Sequence, residues 1–161
     1  MDLTTHYMGL QLKNPLVASA SPLSADLGNL RQLEDSGAAA IVLPSIFEEQ
    51  IEADRLHETL AAVGFENSAE ARGYLPESHQ REPQQYLDLI RRAVEAVDIP
   101  IIGSLNGTTE EGWINYAKMI EEAGVTSLEL NVYFIPTDNF LTGRDVEQRH
   151  LEDIAGGSQG G

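Results

Sequence analysis

Hydrophobic residues along the chain fall into short solid runs separated by stripes at helical spacing. The runs read as strands and the stripes as helices. The first run, residues 16–19 in "NPLVASAS", is bounded by Pro15 and Pro22. Ser24 is placed to cap a helix with Leu27, Leu30 and Leu33 on one side and Gly37 at its end. The second run, "AAAIVL" at 38–43, lacks polar alternation, which predicts a strand covered on both faces, as in a parallel sheet. A long polar segment follows from about 45 to 82, with helical pieces predicted around 48–62. Pro83 suits a first helical position, where its missing N–H is not needed. Leu87, Ile90, Val94 and Val97 form the stripe behind it. "IPIIGSL" is the third strand. Thr108 and Glu111 then make a capping box for a helix carrying Trp113, Ala117 and Ile120 and stopping at Gly124. "SLELN", 127–131, is the fourth strand. Thr142 is placed to cap a last helix with Val146, His150 and Ile154 on one face.

Strand–helix alternation with buried strands predicts an α/β fold with a parallel sheet and right-handed crossovers. Two internal matches sharpen this. "EDSGAAAIVL" at 34–43 resembles "EEAGVTSLEL" at 121–130, and "PLVAS" at 15–19 resembles "PIIGS" at 100–104. The offsets are 87 and 85 residues, so the order of units is kept. A (βα)₂ module occurring twice explains both. The competing explanation is convergence, since helix–Gly–strand punctuation is common. The last eight residues, "IAGGSQGG" at 154–161, read as a flexible glycine-rich tail, which leaves 1–153 as the folded unit.

Composition narrows the function classes. With 10 Lys+Arg against 26 Asp+Glu, the formal charge is −16. Nucleic acid and anionic membrane surfaces need a basic footprint, so neither is expected as a partner. No run approaches the roughly 18 apolar residues of a membrane helix, and no basic-then-apolar leader opens the chain, so a cytoplasmic location is expected. There are no cysteines, which removes disulfides and thiolate metal sites. His6, His57, His79 and His150 are scattered without ligand spacing, and no metal is expected.

Ligand groups in parallel α/β folds gather at the carboxyl ends of strands. Strand one delivers Ala18, Ser19, Ala20 and Ser21 there. Strand two delivers Pro44 and Ser45, strand three Ser104 to Gly107, and strand four Asn131. Small residues let a flat ligand lie against backbone, and amides can donate and accept at a heteroaromatic ring edge. Asn106 and Asn131 could instead simply bond local backbone at strand ends. Asp138, after a proline and a threonine, reads as a turn residue. The stretch "NGTTEEG" at 106–112 sits at a helix start, but Glu110 and Glu111 already occupy the field an anion would use.

The stretches "YMGLQLKNPLVASASPLS", "LEDSGAAAIVLPSIFEEQI", "IPIIGSLNG" and "LELNVYFIPTD…DVEQRHL" resemble the dihydroorotate dehydrogenase-like proteins, over residues 1 to about 153. The resemblance implies the N-terminal half of a TIM-type (β/α)₈ barrel: four β/α units behind an N-terminal hairpin formed by "YMGLQLKNP". It implies an FMN-dependent oxidoreductase that acts on a CH–CH bond of a small ring substrate, as in pyrimidine biosynthesis. It places Ala18 and Ser19 beside the flavin, with Asn131 and Asn106 bonding flavin or substrate.

Several family features are absent. The lysine at the end of strand two is replaced around Pro44 and Ser45, and the chain's only lysines are Lys13 and Lys118. The Asn-rich loop after that strand has as its nearest text Arg72 to Glu77, without an amide. The Cys or Ser base after the strand-four asparagine is missing. In 132–136 only Tyr133 could take a proton, and a phenol of reference pKa about 10 is a poor base. A full barrel needs roughly 250 residues, and its flavin phosphate site lies after strands seven and eight. The chain therefore reads as truncated, expected to be inactive by itself and to bind FMN weakly or not at all. The alternative is a non-catalytic fragment that self-associates, as a homo-oligomer or an aggregate, through exposed strand edges.

Overall fold

The computed structural model describes residues 1–47, 83–107, 110–132 and 140–157. It opens with the hairpin β1 (Thr5–Tyr7) and β2 (Leu10–Leu12), paired antiparallel. Met8 and Gly9 both take positive φ, 49° and 76°, which is the backbone of a tight two-residue turn that keeps the strands twisted together. Ser127 Oγ donates to Met8 O at 3.3 Å and ties the hairpin to the start of the last strand.

The sheet is built from β3 (Val17–Ala18), β4 (Ala40–Val42), β5 (Ile46–Phe47), β6 (Ile101–Gly107) and β7 (Ser127–Val132), all paired parallel. β7 takes one side of β6. β4 and β5 share the other side as two pieces of one broken strand. Between the pieces, Leu43, Pro44 and Ser45 face only Gly103 and Ser104. One extra residue of this kind is a bulge, and Pro44 cannot donate to a ladder in any case. β5 was not anticipated: the segment from 45 onward was expected to be polar and outside the sheet.

The helices are α1 (Leu27–Asp35), α2 (Pro83–Ala96), α3 (Glu110–Glu122) and α4 (Gly143–Gly157). Side chains alternate across the strands and build two cores. Ile41, Leu43, Ile46, Ile101 and Leu105 face the helices and pack with Leu30, Leu87, Ile90 and Ile120. Val42, Ala40 and Ile102 face the other way and are closed at the floor by Leu12 of the hairpin. This two-sided cover explains the absence of polar alternation in 38–43.

Sequence expectations were corrected at several points. The N-cap of α1 is Asp26, whose carboxylate accepts from Asn29 N at 3.0 Å. Ser24 lies earlier, fully buried in the 3₁₀ turn Pro22–Ala25, with its hydroxyl donating to Ser21 O. Val94, placed in the apolar stripe of α2, is exposed, while Tyr86, Leu89 and Ala93 are buried. Thr142 does cap α4: its Oγ1 accepts from Asp145 N at 3.3 Å, and its N and Oγ1 donate in return to Asp145 Oδ2 at 2.8 and 2.6 Å. That helix runs through Gly157, beyond the point at 154 where the glycine tail was expected to begin. The helical pieces around 48–62, the Arg72 to Glu77 text, and Thr108, Tyr133, Asp138, His57 and His79 lie outside the described residues.

The internal repeat is present in the hydrogen bonding. Val17 pairs Ala40, and its sequence equivalent Ile102 pairs Ser127. Ala39 N donates to Leu16 O at 2.8 Å, and the equivalent Thr126 N donates to Ile101 O at 2.9 Å. Both copies turn from helix to strand at a left-handed glycine, Gly37 (φ 101°) and Gly124 (φ 106°).

Candidate functional site

The bulge decides what stands at the strand ends. Along β6, Pro100 O accepts from Ile41 N at 3.0 Å and Ile102 O accepts from Leu43 N at 2.9 Å. The next rung would join Ser104 to Ser45, but the extra residue throws the two strands out of step. Tyr86, from α2, fills the gap. Its hydroxyl accepts from Ser104 N at 3.0 Å and donates to Ser104 O at 3.2 Å. A buried backbone N–H and C=O are thereby satisfied without a strand partner.

The bulge also turns the Ser45 side chain toward Ser104, with the two Oγ atoms 2.7 Å apart. Ser104 is fully buried and acts as a hub. It is the register partner of Glu129, as Asn106 is of Asn131, so all four lie on the inner face. Ser104 Oγ donates to Glu129 Oε1 at 2.9 Å. Asn131 Nδ2 donates to Ser104 Oγ and to Glu129 Oε1, each at 3.3 Å. The result is a continuous polar row, Ser45–Ser104–Glu129–Asn131, crossing three adjacent strand positions. Beside it an open cleft of about 480 Å³ is lined by Ala20, Ser21, Pro22, Pro44, Ser45 and Phe47.

The structure brings Asn106 and Asn131 together as neighbours on the inner face. Asn106 is half-buried, and its carboxamide bonds no other described residue. Ser19 is exposed just beyond β3. Ala18 turns its methyl group to the helix side, against the outer core, so only its backbone can border the inner face. Glu129 was missed by sequence reasoning, and so was the joining role of Ser104. The signal was available: Glu129 and Asn131 are two apart in a strand, hence on one face, in a run otherwise occupied by leucine. Among the described residues no group of three or more His, Cys, Asp or Glu could hold a metal. No described helix is long and apolar enough to cross a membrane.

Chemically, the row can fix the edge of a polar ring. Hydroxyls, a carboxylate and the Asn131 carboxamide are joined in the row, and no Lys or Arg is among the described residues that line the cleft. The residues fit the ring of a flavin or a pyrimidine. A flavin phosphate would need donors or cations that this part of the described structure does not supply.

No family model matches the chain. The NAD-dependent dihydropyrimidine dehydrogenase subunit PreA of Escherichia coli is 25% identical over 154 residues, which is 91% of this chain and 36% of the relative. The catalytic subunit of dihydroorotate dehydrogenase B (NAD(+)) of Methanocella arvoryzae is 29% identical over 132 residues, 82% of this chain and 41% of the relative. Among solved structures, a phosphonopyruvate hydrolase complex with oxalate and Mg²⁺ aligns with a TM-score of 0.52 at 15% identity. That match covers 92% of this chain and 44% of the other, and shows a shared TIM-barrel-like α/β fold alone. The chain spans about two fifths of the length of the curated relatives it matches. It resembles dihydroorotate dehydrogenases and related subunits, in keeping with half of such a protein.

Proposed function

We propose that the chain is the N-terminal (β/α)₄ part of a flavin-dependent barrel oxidoreductase of the dihydroorotate dehydrogenase type, acting on a CH–CH bond of a ring substrate. The relatives' names support the oxidoreductase class. The single observation that carries the reading to this chain is the polar row at the strand ends, where a barrel of this kind holds its ligands. Bound FMN would supply the hydride-accepting centre. Asn106 and Asn131 would hold ring heteroatoms, Ser19 and the Ala18 backbone would border the ring, and Ser104 with Glu129 would fix the Asn131 amide. Tyr133, two residues beyond Asn131 in sequence, is a weak candidate for the proton-transfer group. Pyrimidine metabolism in the cytoplasm is the setting this reading implies.

The reading predicts weak flavin binding by the 161-residue chain, with FMN and riboflavin of comparable affinity, because the described residues read the ring and not the phosphate. Flavin fluorescence anisotropy measures both. A protein that binds FMN tightly and riboflavin poorly would overturn the assignment of the ring site. No saturable binding of either would favour the second reading, a non-catalytic fragment that self-associates. That reading draws on the two outer strands: among the described residues β3 pairs only with β4, and β7 only with β6.

A further inference from the structure

Each module of the internal repeat contributes a strand pair, β3 with β4 and β6 with β7, and the modules join through β4 and β6. In that junction Ile41 stands opposite Ile101 and Val42 opposite Ile102. Ile41 N donates to Pro100 O at 3.0 Å and Leu43 N to Ile102 O at 2.9 Å. The repeat offsets carry every one of these residues to an outer edge of the sheet. Ile41, Val42 and Leu43 match Leu128, Glu129 and Leu130, while Pro100, Ile101 and Ile102 match Pro15, Leu16 and Val17. The matched edges are built alike and stand open. Leu16 is 63% exposed where Ile101 is 2%, and Leu128 to Leu130 are half-buried where Ile41 to Leu43 are buried.

The clamp that holds the junction is repeated too. Glu34, near the end of α1, accepts from Asp98 N at 2.8 Å and from Ile99 N at 3.1 Å, just before β6. Arg31 Nε donates to Ala96 O at 3.4 Å beside it. A carboxylate on two backbone N–H groups is a charge-assisted contact. Near the end of α3 the matches of Arg31 and Glu34 are Lys118 and Glu121, and both are exposed. The matches of Asp98 and Ile99 are Lys13 and Asn14, just before β3. Within the chain, Glu34 meets an aspartate there; the open edges set Glu121 to meet a lysine instead. Lys13 and Lys118 are the only lysines in a chain of formal charge −16, and one lies beside each edge.

We propose that a second copy of this chain docks on these edges. β7 of each copy pairs parallel with β3 of the other, Leu128 opposite Leu16 and Glu129 opposite Val17. Glu121 of one copy accepts from the backbone N–H groups of Lys13 and Asn14 of the other. The inference rests on the self-association reading above and adds to it a register, a clamp and a shared site. Val17 packs on the inner face, and Ser19, two residues on, shares that face. Asn131 is likewise two residues beyond Glu129, so Ser19 of one copy comes beside Asn131 of the other at the end of the polar row. Neither copy forms that pair alone, because β4 and β6 stand between its own β3 and β7. Two such seams about a two-fold axis use both edges of both copies and leave no outer strand.

The chain has no cysteine, so disulfide trapping reads the register directly. Leu16→Cys combined with Leu128→Cys should link two copies under mild oxidation, since opposed residues fall within the Cα separation of about 4.4–6.8 Å that a disulfide spans. Leu16→Cys combined with Leu130→Cys, two residues out of step, should link far less. Ser19→Cys combined with Asn131→Cys should link as the first pair does. Sedimentation equilibrium in high salt tests the clamp without touching either strand. Glu121→Ala should weaken the dimer at least about tenfold, the loss of one charge-assisted hydrogen bond, while Glu122→Ala, exposed one residue on, should not weaken it. Linkage of the out-of-step pair as readily as the matched one, or a dimer constant indifferent to Glu121→Ala, would overturn the inference and leave self-association standing. Linkage at Leu16 and Leu128 without linkage at Ser19 and Asn131 would overturn the shared site. A monomer throughout, in variants that circular dichroism shows folded, would overturn both the inference and the self-association reading.

Discussion

The hydroxyl of Tyr86 stands where Ser104 would otherwise find a neighbouring strand, bonding its backbone N at 3.0 Å and its O at 3.2 Å. A helix side chain thereby repairs a break in the sheet, at the residue whose own side chain organises the polar row. Tyr86→Phe keeps the ring and removes the repair. It should cost about 1–3 kcal/mol in urea unfolding, the cost of leaving buried backbone groups unpaired. It should also loosen the Ser104 amide, read as faster hydrogen exchange there than at Ile102. Stability unchanged within error would mean that the broken ladder does not need the hydroxyl.

Gly103 fixes how closely α3 lies on β6. A Cβ at that position would sit 2.8 Å from Ile120 Cγ2 and 3.4 Å from Leu128 Cδ1 and Val125 Cγ1. Ile120 is fully buried and cannot swing aside. Gly103→Ala should destabilise by about 1–3 kcal/mol through overpacking, in spite of alanine's lower unfolded-state entropy. A companion Ile120→Leu, which lacks the Cγ2 branch, should recover part of the loss. A Gly103→Ala protein as stable as the parent would show that the helix moves without cost.

Asp145 carries the pH dependence of the last helix. Hydrogen bonds from the Thr142 side chain and backbone hold its carboxyl below the usual carboxylate range. A depressed folded pKa means that its stabilisation is present above the unfolded pKa and is lost as pH falls toward the folded one. The helicity of α4 should therefore decline in acid. Asp145→Asn should lessen that decline, followed by circular dichroism or by amide shifts of 143–150. The same acid profile in both proteins would remove Asp145 from the explanation.

Association should rise with salt. Neither β3 nor β7 contains lysine or proline, and the one charge in either strand, Glu129, is on the inner face, so both edges keep backbone groups open to pairing. The formal charge of −16 opposes the approach of two copies, and salt screens it, from a Debye length of about 10 Å at 0.1 M to about 3 Å at 1 M. Sedimentation velocity at those two concentrations should show a larger species at the higher one. A monodisperse monomer in both would show that the edges are closed by other means.

Much of the fold was legible because burial on both faces leaves solid apolar runs, and because helices announce their ends with glycine and proline. The repeat was legible down to register: residues matched by sequence form matched hydrogen bonds. β5 was not, since two residues after a proline have no pattern of their own and depend on Leu105 and Asn106, distant in sequence. Ser24 and Asp26 are equally good caps on paper. The 3₁₀ turn that buries Ser24 leaves the helix start to Asp26. Asn131 and Asn106 were legible as strand-end amides. Glu129 was hidden inside a strand signature, and the hub role of Ser104 depends on a bulge that no local pattern announces.

The repeated ladder separates what the two copies must share from what they can vary. Val42 in the first copy and Glu129 in the second occupy equivalent inward positions. One closes over the hairpin as part of an apolar cluster, and the other receives the Ser104 hydrogen bond. The register that aligns both strands is made by backbone, which is indifferent to that exchange. Inward side chains on such a scaffold can differ while the ladder stays the same. A polar reading surface thus stands at one of two matched positions, with a hydrophobic floor at the other.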